Sequence, residues 1–170
     1  GIMMFSGSAV WDKDNSSGFG KGTSPLVAIY TGHTDTLQTQ NLAYSVDGGT
    51  SWKKYAGNPV LDLHKKDFRD PNVFWYGPTK NWIMAVSQPN EHQISFYGSK
   101  NLKDWKHLSN FGPAGDTSAV WECPDLMPLP VLGTNGKTKW VLYTSQNSTM
   151  QYFVGEFDGK TFLPDNPNAP

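Results

Sequence analysis

Residues 69–88 read RDPNVFWYGPTKNWIMAVSQ, and residues 122–146 read ECPDLMPLPVLGTNGKTKWVLYTSQ. Shifted by 53, Arg69-Asp70-Pro71-Asn72-Val73 lies over Glu122-Cys123-Pro124-Asp125-Leu126. Shifted by 58, Trp82 to Gln88 lies over Trp140 to Gln146, the five extra residues fitting a longer loop at Val131–Lys139. Tyr44, Trp52 and Lys53 likewise fall on Tyr97, Trp105 and Lys106 at offset 53. An earlier copy precedes both: Phe5 to Trp11 aligns with Arg69 to Trp75 at offset 64, and Leu26–Thr31 with Trp82–Ser87. Self-similarity at a period of roughly 50 residues is the mark of a repeat architecture, in which each unit buries its apolar face on the next.

Inside each unit the reading is all-β. Short runs of Val, Ile, Tyr, Phe and Trp stand between Gly, Pro, Asn and Asp clusters. Ser8–Trp11, Leu26–Tyr30, Asn41–Ser45, Asn72–Tyr76, Trp82–Ser87, Gln93–Gly98, Trp140–Thr144 and Gln151–Phe157 are the strands expected. Asp47-Gly48-Gly49, Lys100-Asn101 and Asp158-Gly159 are the expected hairpin turns. No window carries a capped helical period. A unit of about four short strands is a propeller blade, and propellers close with roughly four to eight of them. The chain holds about three, so it reads as part of a propeller, with an irregular tail at Pro164, Pro167 and Pro170. Ser45-x-Asp47-x-Gly49-x-x-Trp52 resembles the Asp box, a turn motif of several propeller families; its second copy keeps only Trp105.

Composition narrows the function. Fourteen Lys and Arg against 15 Asp and Glu leave a net charge of −1, which gives nucleic acid or an anionic membrane no electrostatic handle. No apolar run approaches the roughly 18 residues of a membrane-spanning helix. A single cysteine, Cys123, rules out a disulfide within the chain. Asn15-Ser16-Ser17 and Asn147-Ser148-Thr149 are glycosylation sequons, which fit a secreted protein. Phosphate loops, zinc-ligand spacings and Ser-His-Asp arrangements do not occur.

The chemistry concentrates in the two aligned segments. Each sets a carboxylate at the start of an inner strand, and equivalent positions of successive blades converge on a propeller's axis. Asp70 and Glu122 thereby face one another across a funnel, an arrangement suited to glycoside hydrolysis. Arg69 supplies a fixed cation and a fork for hydroxyls. Trp11, Trp75 and Trp121 offer aromatic faces for sugar rings, while Trp52, Trp82, Trp105 and Trp140 read as packing residues. Each feature also has a bland reading. Asp-Pro and Cys-Pro steps are common in turns, Arg-Asp is often a solvated pair, and repetition duplicates structural residues too. With no His nearby in sequence, Cys123 reads as a packing residue rather than a nucleophile. His33, His64, His92 and His107 lack metal-ligand spacing, and His64-Lys65-Lys66-Asp67 reads as a solvated loop.

Phe5-Ser6-Gly7-Ser8, Arg69-Asp70-Pro71 and Glu122-Cys123-Pro124, in that order and spacing, resemble three motifs of glycoside hydrolase family 32. The resemblance covers essentially the whole chain. Phe5–Trp11 and Gln151–Phe157 look most like the exo-inulinase and levanase branch. The resemblance implies a five-bladed propeller, usually followed by a β-sandwich. It also implies retaining hydrolysis of terminal β-fructofuranosides in fructans or sucrose, without metal or organic cofactor, by extracellular enzymes. It places the general acid/base at Glu122 and the transition-state stabiliser at Asp70. Substrate contacts fall at Arg69, Ser6, Phe5 and Trp11, and Cys123 neighbours and tunes the acid/base. The family's nucleophile, an Asp in an Asn-Asp-Pro-Asn-Gly motif, has no counterpart among these residues: Asn58-Pro59 and Asp165-Asn166-Pro167 stand in the wrong order and context. Residues 1–170 therefore read as an internal fragment of the catalytic propeller, inactive alone, with the sandwich beyond it. Three alternatives stay open: a fructosyltransferase of the same fold, an inverting arabinan- or xylan-acting propeller, and a non-catalytic sugar- or protein-binding propeller. Fructan linkage, β-2,1 or β-2,6, is also open.

Overall fold

The computed structural model describes residues 1–147 and 149–166. Pro167, Pro170 and the Ser148 of the second sequon lie outside them; Pro164 ends a strand rather than beginning a tail.

Three antiparallel meanders follow one another along the chain. The first joins β1 (Met3–Trp11), β2 (Leu26–His33), β3 (Gln38–Ser45) and β4 (Lys53–Lys54), with β5 (Leu61–Lys65) also paired to β3. The second joins β6 (Arg69–Tyr76), β7 (Asn81–Gln88), β8 (Gln93–Ser99) and β9 (Lys106–Phe111). The third joins β10 (Glu122–Pro130), β11 (Thr138–Gln146), β12 (Thr149–Phe157) and β13 (Phe162–Pro164). The first strands of the three sheets stand side by side, β1 against β6 and β6 against β10.

The ladder reproduces the sequence repeat. Trp75 pairs with Trp82 and Pro128 with Trp140, which satisfies the offsets of 53 and 58 together. Five strands escaped the sequence reading: β4, β5, β9, β10 beyond its first residues, and β13. β4 and β13 are only two and three residues long, and β9 and β10 do not alternate cleanly. In β10, Pro124, Pro128 and Pro130 argue against a strand, yet β10 pairs only with β11, and an edge strand tolerates a missing N–H.

Strand alternation divides the core. Seven of the eight residues of β7 are buried. Ile83 and Ala85 join Ile94, Phe96, Leu126, Leu142 and Phe153 between the second and third sheets. Met84 and Val86 join Val27, Ile29, Leu42 and Phe68 between the first and second. Because side chains alternate with period two, one strand serves two interfaces. Each large aliphatic or aromatic side chain so buried stabilises the fold by about 1.5–3 kcal/mol. Trp121 lies in the interface between the second and third sheets, wholly buried, with Nε1 donating to the Asp116 carbonyl at 2.9 Å. It presents no face to a sugar.

The turns are as specific as the core. Asp47 accepts from Ser51 N–H at 2.9 Å and from Ser45 Oγ at 2.7 Å, and Gly49 takes the left-handed φ of +91° that the turn requires. Hydrogen bonding pulls the Asp47 carboxyl down to about 2. The second turn preserves more than its Trp. Asn101 accepts from Lys103 N–H and Asp104 N–H at 3.0 and 2.9 Å, and Leu102 takes the place of Gly49 at φ +62°. The carboxamide sits one residue closer to the Trp than the carboxylate does, so a fixed offset hides it. Asn15, in the first sequon, is tied into a loop by its side chain, which donates to Gly20 O and accepts from Gly20 N–H, both at 2.8 Å.

One buried hydroxyl is unmatched. Thr144 Oγ1 has no hydrogen-bond partner among the described residues. An orphaned buried polar group costs about 1–3 kcal/mol, and an apolar group of the same shape removes that cost. Thr144→Val is therefore expected to stabilise the protein by about 1 kcal/mol, raising its melting midpoint by roughly 2–4 °C. A lower midpoint in thermal denaturation would show that the hydroxyl is paired in solution.

Candidate active site

All three inner strands carry a bulge at the same height. The register of β6 against β7 slips between Arg69 and Asn72, that of β10 against β11 between Glu122 and Asp125, and that of β1 against β2 between Met4 and Gly7. The unpaired residues are Asp70-Pro71, Cys123-Pro124 and Phe5-Ser6. A bulge frees one residue from the ladder and re-aims its side chain, which is why bulges gather beside active sites. Pro at the second unpaired place forfeits no ladder bond, because none would form there. Asp70 and Cys123 both adopt left-handed backbone, at φ +64° and +47°. Such a conformation costs a non-glycine residue about 1–3 kcal/mol and persists only where surroundings impose it. The bulge in β1 falls one residue earlier than the alignment at offset 64 expects: Met4, not Phe5, stands where Arg69 stands.

The re-aimed side chains meet. Arg69 Nε donates to Glu122 Oε1 at 2.9 Å, and Arg69 Nη1 donates to Asp67 Oδ1 at 2.9 Å and to Gln38 Oε1 at 3.3 Å. Cys123 N–H donates to Asp70 Oδ2 at 3.0 Å, and the thiol sulfur lies 3.6 Å from the same oxygen. Asp70 is buried, whereas the Glu122 side chain keeps 36% of its surface open. A cavity of about 580 Å³ is lined by Phe5, Ser6, Arg69, Asp70, Glu122 and Cys123, with His33, Gln38 and Asp67 among the other residues of its wall. A second, of about 290 Å³, shares Ser6, Asp70 and Cys123 and adds Asn72, Asp125 and Tyr143.

Of the residues picked from sequence, six converge: Phe5, Ser6, Arg69, Asp70, Glu122 and Cys123. Trp11 does not join them. It pairs with Leu26 at the opposite end of β1, 58% exposed, because nine residues of extended strand separate the two ends. Trp75 lies at that end too, edge-on to Trp82 at 5.1 Å. Sequence reading missed Asp67, Gln38, Tyr143 and His33. In the run His64-Lys65-Lys66-Asp67, expected to be a solvated loop, Asp67 bridges Arg69 and Asn90. His33 stacks on Phe5 with centroids 4.3 Å apart.

Residues 1–169 match the family described as glycosyl hydrolases family 32, N-terminal domain. The chain belongs to glycoside hydrolase family 32. It is 51% identical to the levanase of Bacillus subtilis over 174 residues, 96% of this chain and 25% of that protein. It is 44% identical to the extracellular exo-inulinase of Aspergillus awamori, over 96% of this chain and 36% of the relative. Among solved structures, the fructofuranosidase of Schwanniomyces occidentalis complexed with fructose superposes with a TM-score of 0.93 at 41% identity, covering 98% of this chain and 35% of the other. The exo-inulinase of Aspergillus awamori superposes at 0.92 with the same identity, covering 99% and 40%. The chain thus spans between a quarter and two fifths of the length of these relatives.

Electrostatics give the two carboxylates of this family-32 domain different surroundings. Burial pushes the Asp70 carboxyl up; the Cys123 N–H and the Arg69 guanidinium pull it back, while the Glu122 carboxylate pushes it up again. Partial desolvation and then the Asp70 carboxylate push the Cys123 thiol up, so it is held as a thiol and is a poor nucleophile. Burial and the Asp125 carboxylate, which accepts from the Tyr143 hydroxyl at 3.3 Å, raise Tyr143.

Proposed function

We propose that the whole protein hydrolyses terminal β-fructofuranosyl residues of fructans and sucrose with retention, and that residues 1–170 supply its acid/base and its transition-state stabiliser. The observation that carries the reading is the Arg69-centred cluster, in which one guanidinium orients Glu122 while a buried carboxylate, Asp70, lies beside it in the same cavity. Glu122 is held through Oε1 alone and is the more open carboxylate, which suits a group that hands a proton to a leaving oxygen and later takes one from water. Asp70 accepts hydroxyl hydrogen bonds from the fructosyl ring and balances its growing positive charge. Ser6 and Phe5 border the ring, and Cys123 holds Asp70 through its backbone N–H. The attacking carboxylate comes from outside these residues, since no Asn-Asp-Pro-Asn-Gly motif occurs among them.

A larger propeller fits the third sheet's outer face, where Met150, Tyr152 and Val154 stand 66%, 57% and 37% exposed. Apolar stripes of that kind normally meet a partner surface. The relatives named extracellular favour secretion of the whole protein. A retaining two-carboxylate site needs its attacking and donating groups roughly 5–5.5 Å apart. Residues 1–170 alone are therefore expected to release no fructose from sucrose, inulin or levan, whereas the whole protein releases it with the β configuration retained. Release by the isolated chain, or none by the whole protein, would overturn the reading. Transfer of fructosyl to a sugar instead of water would show as oligosaccharide products in the same assay.

A further inference from the structure

The bulge that aims Arg69 and Asp70 is not held by its own sheet. Phe68 N–H, Phe68 C=O and Asp70 N–H all find their partners on side chains of the first sheet. Phe68 N–H donates to Gln38 Oε1 at 2.8 Å, Gln40 Nε2 donates to Phe68 O at 2.8 Å, and Asp70 N–H donates to Thr31 Oγ1 at 2.9 Å. Thr31 Oγ1 in turn donates to Gln40 Oε1 at 2.9 Å. Gln38 and Gln40 are two apart on β3 and share a face, and Thr31 lies opposite Gln40 on β2. Thr31 and Gln40 are completely buried and Gln38 nearly so.

The directions of these bonds are fixed. Thr31 has one hydroxyl hydrogen, and it goes to Gln40, so its oxygen is free to accept from Asp70. The Gln40 amide then has only one useful orientation, oxygen to Thr31 and nitrogen to Phe68. A buried polar network in which every member is satisfied is rigid, and breaking any link leaves the others unpaired. Nothing in the core packing of the two sheets requires polar groups here: Val27, Ile29 and Leu42 on the same two strands are apolar and buried. What the polar groups add is the left-handed backbone of Asp70, which a ladder cannot supply.

Resting on the fructoside-hydrolase reading of Asp70, we infer that Thr31 and Gln40 are positioning residues that hold the Asp70 bulge in its reactive geometry. They touch no substrate and act through the Phe68–Asp70 backbone. A contact that strengthens only in the transition state is sensitive to sub-ångström displacement, so its loss lowers kcat and kcat/KM together and leaves KM nearly unchanged.

The test uses the whole protein with inulin or sucrose. Thr31→Val keeps the shape of the side chain and removes only the hydroxyl; Thr31→Ser restores the hydroxyl; Gln40→Met keeps the length and has no group to donate to Phe68 O. We expect Thr31→Val and Gln40→Met to lower kcat by roughly 10–100-fold with KM within about threefold, and Thr31→Ser to stay within about threefold of the parent. Folded Thr31→Val or Gln40→Met proteins with unchanged kcat would overturn the inference. So would a Thr31→Val that does not fold, which assigns the hydroxyl to stability, or a Thr31→Ser as slow as Thr31→Val. Asp70→Asn serves as the control. If it is fully active, the functional reading fails. If it is inactive while the Thr31 and Gln40 variants are normal, only the positioning role fails.

Discussion

Replacing Glu122 by Gln is expected to lower kcat for inulin and sucrose by about 10²–10⁴-fold in the whole protein, the range that positioned general acid–base groups contribute. The substitution is nearly isosteric. A Gln carbonyl can still accept from Arg69 Nε, now 2.9 Å from Oε1, so the Arg69-centred cluster keeps its shape and KM is expected to hold within a few-fold. What is lost is the transferable proton. That makes the loss dependent on the leaving group. A fructosyl fluoride departs without protonation, so its first step should be nearly unaffected, and the second step, which needs a base for water, should limit turnover. Rapid mixing would then show a burst of fluoride followed by slow release of fructose. An equal loss for fluoride and sucrose with no burst would mean that Glu122 shapes the site rather than moving a proton, and the assignment would fall.

The propeller-like order of sheets was legible because its cause is repetitive. Three units must bury equivalent faces on one another, so Trp75–Trp82 and Pro128–Trp140 recur at matching ladder positions and the offsets survive in sequence. Arg69, Asp70 and Glu122 were legible for the same reason, since equivalent places on neighbouring inner strands converge. The rest was hidden by physics that leaves no period. Trp11 looks like a sugar platform by residue type, but β1 is long enough to carry it out of the site. Trp121 precedes Glu122 directly, and because neighbouring residues of extended chain point to opposite sides, the Glu122 that lines the cavity sends Trp121 into the core. Thr31, Gln38 and Gln40 bind backbone groups 28 to 39 residues away, and only the polar character of inward positions in Gln38-Thr39-Gln40 hinted at it. Asp67 is hidden because a charged run gives no sign of which member turns inward.

Asp70→Asn is expected to lower kcat by about 10²–10³-fold and at the same time to stabilise the protein at neutral pH. The first effect follows from charge. In the proposed reaction Asp70 is the buried anion against which the fructosyl cation develops, and preorganised groups of this kind contribute about 2.7–4 kcal/mol each. The second follows from linkage. Burial raises the Asp70 carboxyl above its unfolded value, so between the unfolded and folded pKa values the native state binds more protons than the unfolded one. Stability is then greatest below the unfolded value and falls as pH rises through the folded one. Ionising that buried carboxyl costs the native fold, and the Cys123 N–H, Arg69 and the Cys123 thiol offset the cost only in part. Asn removes that burden and still accepts from the Cys123 N–H. The melting midpoint of Asp70→Asn should therefore exceed the parent's at pH 7, and the difference should shrink as pH falls below the ordinary aspartate value, where the parent's carboxyl is protonated in both states. A variant that is inactive and also less stable at every pH would mean that Asp70 is held as a structural anion. A stability gain with full activity would mean that the fructosyl site lies elsewhere in the cavity. The combination of lost turnover and gained stability is the signature of a carboxylate kept in place for chemistry at the expense of the fold.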